Sequence, residues 1–176
     1  MASQKVAYLL RAVNVGGHTV PMADLRTLAS DLGALDVATY VNSGNLVCTP
    51  PGDPAAFGAS LEAGIADRMG VTTDAIPRTA AELRAARDAY PHDVHEPKLC
   101  HVWFLASEPS ADAVRALESY DFGPDRVAPI GRELHLRYAD GVARSAITAP
   151  RLLKLSGVVG TARNLRTVEK LAAMAQ

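Results

Sequence analysis

Lys5-Val6-Ala7-Tyr8-Leu9-Leu10-Arg11-Ala12-Val13-Asn14-Val15-Gly16-Gly17, residues 5–17, is the stretch on which the fold turns. Val6, Tyr8, Leu9, Leu10 and Val13 form a short, β-compatible apolar run that reads as a buried strand over Lys5 to Val15, closed by Asn14-Val15-Gly16-Gly17. Pro21 suits a first helical turn, and Met22, Leu25, Leu28, Ala29 and Leu32 then recur at helical spacing until Gly33 stops them. Val37 to Val41 is a second strand and Asn45 to Thr49 a third. The polar turn Asn42-Ser43-Gly44-Asn45 between them marks a hairpin.

Pro50-Pro51-Gly52 breaks the chain. Asp53 caps a helix reaching Met69, with Leu61, Ile65 and Met69 on one face, and Val71 to Arg78 supplies a fourth strand. The order β-α-β-β-α-β is that of a ferredoxin-like, split β-α-β half. A helix over Ala80–Ala89 and a loop through Pro91 and Pro97 lead to an apolar strand, Leu99 to Leu105. A helix over Ser110–Ser119 follows, then a hairpin of Arg126–Ile130 and Glu133–Tyr138 around Gly131-Arg132, and helices over Pro150–Leu155 and Thr167–Met174. The fold class expected is α+β, with two ferredoxin-like halves packed as one unit and helices at the C-terminus. The first half is residues 1–79 and the second 80–176, with a soft boundary near Ala80.

A chain of 176 residues is long enough to bury a sizeable core without an accessory staple. Cys48 and Cys100 both lie in apolar runs and read as small buried hydrophobes, so no disulfide, structural metal or cofactor is expected. The apolar run Val6–Leu10 is too short for a signal-peptide core or a membrane span, which makes a soluble, cytoplasmic protein without membrane contact the expectation. The net charge of −1 hides an asymmetry: residues 1–125 hold 9 Lys and Arg against 16 Asp and Glu, and residues 126–176 hold 9 against 3. That basic segment either packs on the acidic part of its own chain or meets an external anion or acidic partner.

In a β-α-β-β-α-β half the first two strands run the same way, so the loop Asn14 to His18 and the hairpin Asn42 to Asn45 should share one rim. Gly70 to Thr73, entering the fourth strand, should join them. Paired glycines before a helix start can cradle a phosphate or carboxylate, although such a pair is more often a tight turn. Asn42, Ser43 and Asn45 equally serve their own turn backbone. Arg11 interrupts the apolar run just before this loop and must pair with a carboxylate or face a ligand. Near the C-terminus, Arg163, Asn164, Thr167 and Lys170 place guanidinium, amide, hydroxyl and ammonium groups around a helix start, where they either clamp an anion or cap the helix.

Other motifs carry less. His92 and His95, flanked by Pro91 and Pro97, read as a surface loop rather than a metal site. Ser43 lacks a Gly-x-Ser-x-Gly setting, and no Walker loop, dinucleotide fingerprint or paired catalytic carboxylates are present. Only Tyr8 and Tyr40 are placed to stack on bases from the sheet.

Leu9-Leu10-Arg11-Ala12-Val13-Asn14-Val15-Gly16-Gly17, Thr39-Tyr40-Val41-Asn42-Ser43-Gly44-Asn45 and Gly160-Thr161-Ala162-Arg163-Asn164 with Thr167-Val168-Glu169-Lys170-Leu171 occur in an order that resembles the bacterial domain-of-unknown-function family 1697. Ala12 stands where that pattern has glycine, and Leu165 where it has an aromatic. The positions of Arg11, Asn14, Gly16, Gly17, Ser43, Gly44, Asn45, Arg163, Asn164 and Thr167 match. The resemblance implies a two-part α+β fold of ferredoxin-like character and no established activity.

The leading expectation is a rim, formed by Asn14 to Gly17 and Asn42 to Asn45 and approached by Arg11 and Arg163-Asn164, that binds a phosphorylated or carboxylated ligand such as a nucleotide or RNA backbone. An interaction or self-association module using the same motifs as turn scaffolding is the alternative. An enzyme, with His18 as base or Ser43 as nucleophile, is a third.

Overall fold

The structure is a computed structural model and describes residues 4–176. In chain order it holds β1 (Val6–Leu10), α1 (Met22–Asp31), β2 (Leu35–Thr39), β3 (Asn45–Thr49), α2 (Pro54–Met69), β4 (Ala75–Thr79), α3 (Ala80–Asp88), β5 (Cys100–Leu105), α4 (Ala111–Ser119), β6 (Arg126–Ile130), β7 (Glu133–Arg137), α5 (Ala149–Ser156), β8 (Gly160–Asn164) and α6 (Leu165–Met174). This is a mixed α+β fold with two four-stranded antiparallel sheets, ordered β2-β3-β1-β4 and β6-β7-β5-β8. The chain divides into two compact units, one running to Leu83 and regaining Lys170–Gln176, the other Arg84–Glu169.

In the first unit every residue of β1 is buried. Alternation sends Val6, Tyr8 and Leu10 into a cluster with Leu46 and Cys48 of β3, Leu25 and Leu28 of α1, and Phe57, Leu61 and Ile65 of α2. Tyr8 donates its hydroxyl to the Pro54 carbonyl at 3.1 Å, so this aromatic is a core group and not a stacking platform. Both cysteines are buried and unpaired, and burial pushes the Cys48 thiol up to about 12. Helix α2 starts as its sequence signals: Asp53 accepts from the Ala56 amide at 2.8 Å, and Gly70 ends it with φ +66°.

The second unit repeats this chain order and spatial strand order. Trp103 and Leu105 of β5, Leu134 and Leu136 of β7, Leu117 of α4 and Leu152 of α5 make its core. The same positions of the two sheets end alike. In β4 buried Arg78 precedes Thr79, which exchanges hydrogen bonds with Glu82 in the first turn of α3 (2.8 and 3.2 Å). In β8 buried Arg163 precedes Asn164, whose Oδ1 accepts from the Thr167 amide at 2.9 Å at the start of α6.

Several boundaries differ from the sequence reading: β4, for one, starts at Ala75 and not at Val71, and β2 ends at Thr39. β1 stops at Leu10, because Ala12 and Asn14 adopt left-handed backbone at φ +54° and +56° and leave the sheet. β2 starts at Leu35, and its register shifts between Leu35 and Ala38, where Asp36 has φ +52°, a bulge that disrupts pairing at an edge strand. The segment joining the last two helices contains β8, hidden because Gly160-Thr161-Ala162-Arg163-Asn164 lacks an apolar run; its partner is β5.

Gly160 lies against Trp103: a Cβ there would stand 2.1 Å from the indole Nε1 and 2.8 Å from the Phe104 carbonyl oxygen. Gly160→Ala is expected to cost about 1–3 kcal/mol by overpacking, whereas Gly52→Ala, with open space around it, is expected to be near neutral. Urea midpoints of the two variants check this.

Burial lowers the pKa values of His92 and His101 from 6.5, and His101 Nδ1 is buried without a partner. The unfolded chain therefore binds more protons than the native one just below pH 6.5, so stability falls as pH drops from 6.5 towards the lowered values. A pH series of melting temperatures should show this loss, and His101→Phe should flatten it.

Candidate functional site

β1 and β2 are both antiparallel to β3, so they run the same way and their C-terminal ends lie at one end of the sheet. The loop after β1 and the hairpin after β2 accordingly meet. The Leu10 amide donates to the Gly44 carbonyl at 2.8 Å, and Asn14 Nδ2 donates to the Asn42 carbonyl at 2.6 Å. Asn14 also closes its own loop, donating from Nδ2 to the Val20 carbonyl (3.1 Å) and accepting the Val20 amide at Oδ1 (2.8 Å). Asn45 is fully buried and donates from Nδ2 to the Tyr40 carbonyl and to Ser43 Oγ, each at 2.9 Å. Gly44 has φ +83°, and a Cβ there would come within 2.4 Å of Val13 Cγ2. The hairpin thus requires glycine by both backbone and space.

Gly16 and Gly17 form the tip of a tight turn in which the His18 amide donates to the Val15 carbonyl at 3.1 Å. Helix α1 begins only at Met22, after Pro21, so the glycine pair shapes a turn of its own in the chain before that helix start. His18 and Ser43 are exposed at the two loops.

Arg11 is held from the segment that enters β4. Its amide donates to the Asp74 carbonyl (3.0 Å), its carbonyl accepts Thr73 Oγ1 (2.6 Å), and its Nε donates to Asp74 Oδ2 at 2.5 Å. With side chains 39% and 35% exposed, this pair adds little to stability, but it compensates the one cation of the β1–α1 loop. Gly70 to Thr73 does reach this rim, and Asp74, which the sequence reading passed over, is the partner that the buried-run position of Arg11 demanded.

The C-terminal candidates lie on β8 and α6. Arg163 belongs to the second unit, is 5% exposed, and donates from Nη1 to Thr161 Oγ1 (2.9 Å) and the Ala162 carbonyl (2.7 Å). Burial lowers its pKa to about 10. Thr167 is buried beneath its Asn164 cap, and Lys170 is exposed on α6. These groups build a strand end and a helix start.

The loop histidines diverge. His92 Nε2 stands 3.3 Å from the His135 carbonyl, while exposed His95 faces Asp93 at 4.0 Å. Among the described residues no three or more His, Cys, Asp or Glu side chains gather as a metal set.

Two features escaped the sequence reading. A cavity of about 650 Å³ opens at the other end of the first sheet, between Val6, Leu35, Thr49, Pro51, Asp53 and Thr79, where Pro50-Pro51-Gly52 reads only as a break. The second is the cross-strand pair Arg126 and Arg137 of β6 and β7, visible only once register is known.

Removing the Asn14 amide cuts the tie between loop and hairpin. Asn14→Ala is expected to lower stability by about 1–3 kcal/mol and to speed amide exchange around Val20 and Asn42, measured by hydrogen exchange. Protection unchanged at both would show the tie to be dispensable.

Among comparisons with known proteins, the family model described as "Protein of unknown function (DUF1697)" matches residues 3–135. No curated protein gives a significant match. Among solved structures, conserved bacterial protein SP0830 from Streptococcus pneumoniae is 23% identical and superposes with a TM-score of 0.76, covering 98% of this chain and 99% of that one. That similarity establishes the fold. No helix among the described residues is long and apolar enough to cross a membrane.

Proposed function

The chain belongs to the DUF1697 family, whose description carries no activity, and on that footing we propose that it is an interaction module whose recognition face is the rim of the first sheet. One observation carries this reading. Four non-glycine residues among those described have left-handed backbone, and three of them, Ala12, Asn14 and Val41, lie on the two segments that Asn14 ties together. Such conformations cost about 1–3 kcal/mol each and gather where surrounding structure holds a surface ready for a ligand or partner. Val41 is the clearest case, being β-branched at φ +50° and 51% exposed. Val15, 56% exposed, adds a second apolar group to the rim, whose polar side chains Asn14 and Asn45 are engaged by backbone within the rim itself.

The first partner to test is a second copy of the chain, since closed two-fold pairs are the commonest assemblies. Sedimentation equilibrium is expected to show reversible self-association that Val41→Asp removes. Val41→Gly should relieve the backbone and raise stability by about 1 kcal/mol. A monomer at every concentration, or association undiminished in Val41→Asp, would falsify the self-association reading.

An oxyanion ligand at the same rim is a second reading, favoured by the half-exposed Arg11 guanidinium, which Asp74 holds through Nε. A phosphorylated small molecule or a nucleic-acid backbone that raises the melting temperature of the native protein but not of Arg11→Ala would support it.

The reading extends to architecture and setting. The strand orders β2-β3-β1-β4 and β6-β7-β5-β8 support taking each unit as a ferredoxin-like, split β-α-β arrangement. A bacterial, cytoplasmic setting is supported by the likeness to a bacterial protein and by two unpaired cysteines.

A further inference from the structure

Arg126 and Arg137 are register partners across β6 and β7. Their side chains therefore leave the same face of the sheet, with Cβ atoms about 5 Å apart. Like charges placed so are destabilising, and a protein normally offsets them with a neighbouring carboxylate. Here none does. Among the described residues neither arginine has an acidic partner within ion-pair distance. Arg126 donates Nη1 to the carbonyls of Gly123 (3.2 Å) and Asp125 (2.9 Å), which fixes its guanidinium against the turn before β6. Arg137 is half-buried, with no side-chain hydrogen bond to a protein acceptor among the described residues.

His92 is the third basic group. Its Nε2 stands 3.3 Å from the His135 carbonyl and its ring meets Tyr90 edge-on at 5.4 Å; burial first, and then the positive charges of Arg137 and Arg126, lower its pKa. The charged or titratable groups that bear on it are His135, Arg137 and Arg126, and its ring contact is with Tyr90. The nearby carboxylates are engaged elsewhere: Asp93 faces His95 at 4.0 Å, and Asp125 accepts the Ala139 amide (2.8 Å) and the Ser145 hydroxyl (2.5 Å). Two arginines on one face of the strand pair and a histidine beside the β7 backbone thus have no ion-pair acid among the described residues.

We propose that Arg126, Arg137 and His92 form an oxyanion site that takes the phosphate group of a phosphate ester. A guanidinium presents planar paired donors that match phosphate oxygens, and the anion would remove the cross-strand repulsion that the fold itself leaves standing. It would also make protonation of His92 favourable, coupling binding to proton uptake. All three residues belong to the second unit, whereas Arg11 belongs to the first.

Titration calorimetry on the full chain tests this with inorganic phosphate, sulfate, a nucleoside monophosphate and a single-stranded oligonucleotide. Phosphate should bind about tenfold more weakly to Arg137→Gln, as expected for a lost charge-assisted pair of donors. Sulfate, which keeps its charge across this range, should bind more tightly as pH falls below 6.5, and His92→Asn should remove that slope. Without anion, Arg126→Gln and Arg137→Gln should melt at or above the wild-type temperature, because each removes a repulsion. A monophosphate that outcompetes the oligonucleotide identifies a small ester; an oligonucleotide that wins with a steep salt dependence identifies a polynucleotide backbone. The proposal falls if wild type binds neither phosphate nor sulfate, if Arg137→Gln binds them as well as wild type does, or if both glutamine variants melt far below wild type.

Discussion

A central strand buried on both faces admits one register, and the first unit depends on that constraint. β1 pairs with β3 on one side and β4 on the other, and none of its five residues is more than 2% exposed. A slip of one residue would exchange Val6, Tyr8 and Leu10, which pack beneath α1 and α2, with Ala7 and Leu9. Because the register holds, Leu10 meets Gly44 and Arg11 meets Asp74, and the loops that leave the sheet are brought to one rim. β5 occupies the same place between β7 and β8 in the second unit, where Val102 and Phe104 are fully buried.

Charge is treated differently in three places. At the rim, Arg11 is matched by Asp74 at the surface, so solvent and partner share the field and little stability is at stake. In the strand ends, Arg78 and Arg163 are 1% and 5% exposed, and each donates to the backbone carbonyl just before it, to Pro77 and Ala162. Burying a guanidinium is costly unless its donors are satisfied, which accounts for the direct bonds to strand backbone and, at Arg163, to Thr161. Between β6 and β7, two arginines are register partners with no ion-pair acid among the described residues. The basic excess of residues 126–176 is therefore part interior and part exposed, and a count of charges cannot separate the two.

Much of the fold was legible because local chemistry and tertiary placement agree. Asp53 and Gly70 bound α2 as cap and stop, Ser110 caps α4 by accepting the Ala113 amide at 3.1 Å, and Asn42-Ser43-Gly44-Asn45 is a hairpin. β8 was not legible: Ala162 and Arg163 alternate without an apolar pattern, and the strand exists because β5 offers it an edge. For the site, the joining of Asn14 with Asn42 followed from strand direction, which the order of elements implies. Whether Arg11 answers to a ligand or to Asp74 did not, since its partner is 63 residues away.

Sequence alone determined the α+β class, the glycine at position 44, the helix caps and the meeting of the two rim loops, because each follows from backbone conformational limits or from the period of apolar side chains. Tertiary structure decided that Arg163 lies inside, that Asp74 compensates Arg11, and that Arg126 and Arg137 stand opposite one another. Those facts depend on which distant segments pair and in what register, and pairing is set by burial summed over the whole sheet, a quantity that no local stretch of the chain contains.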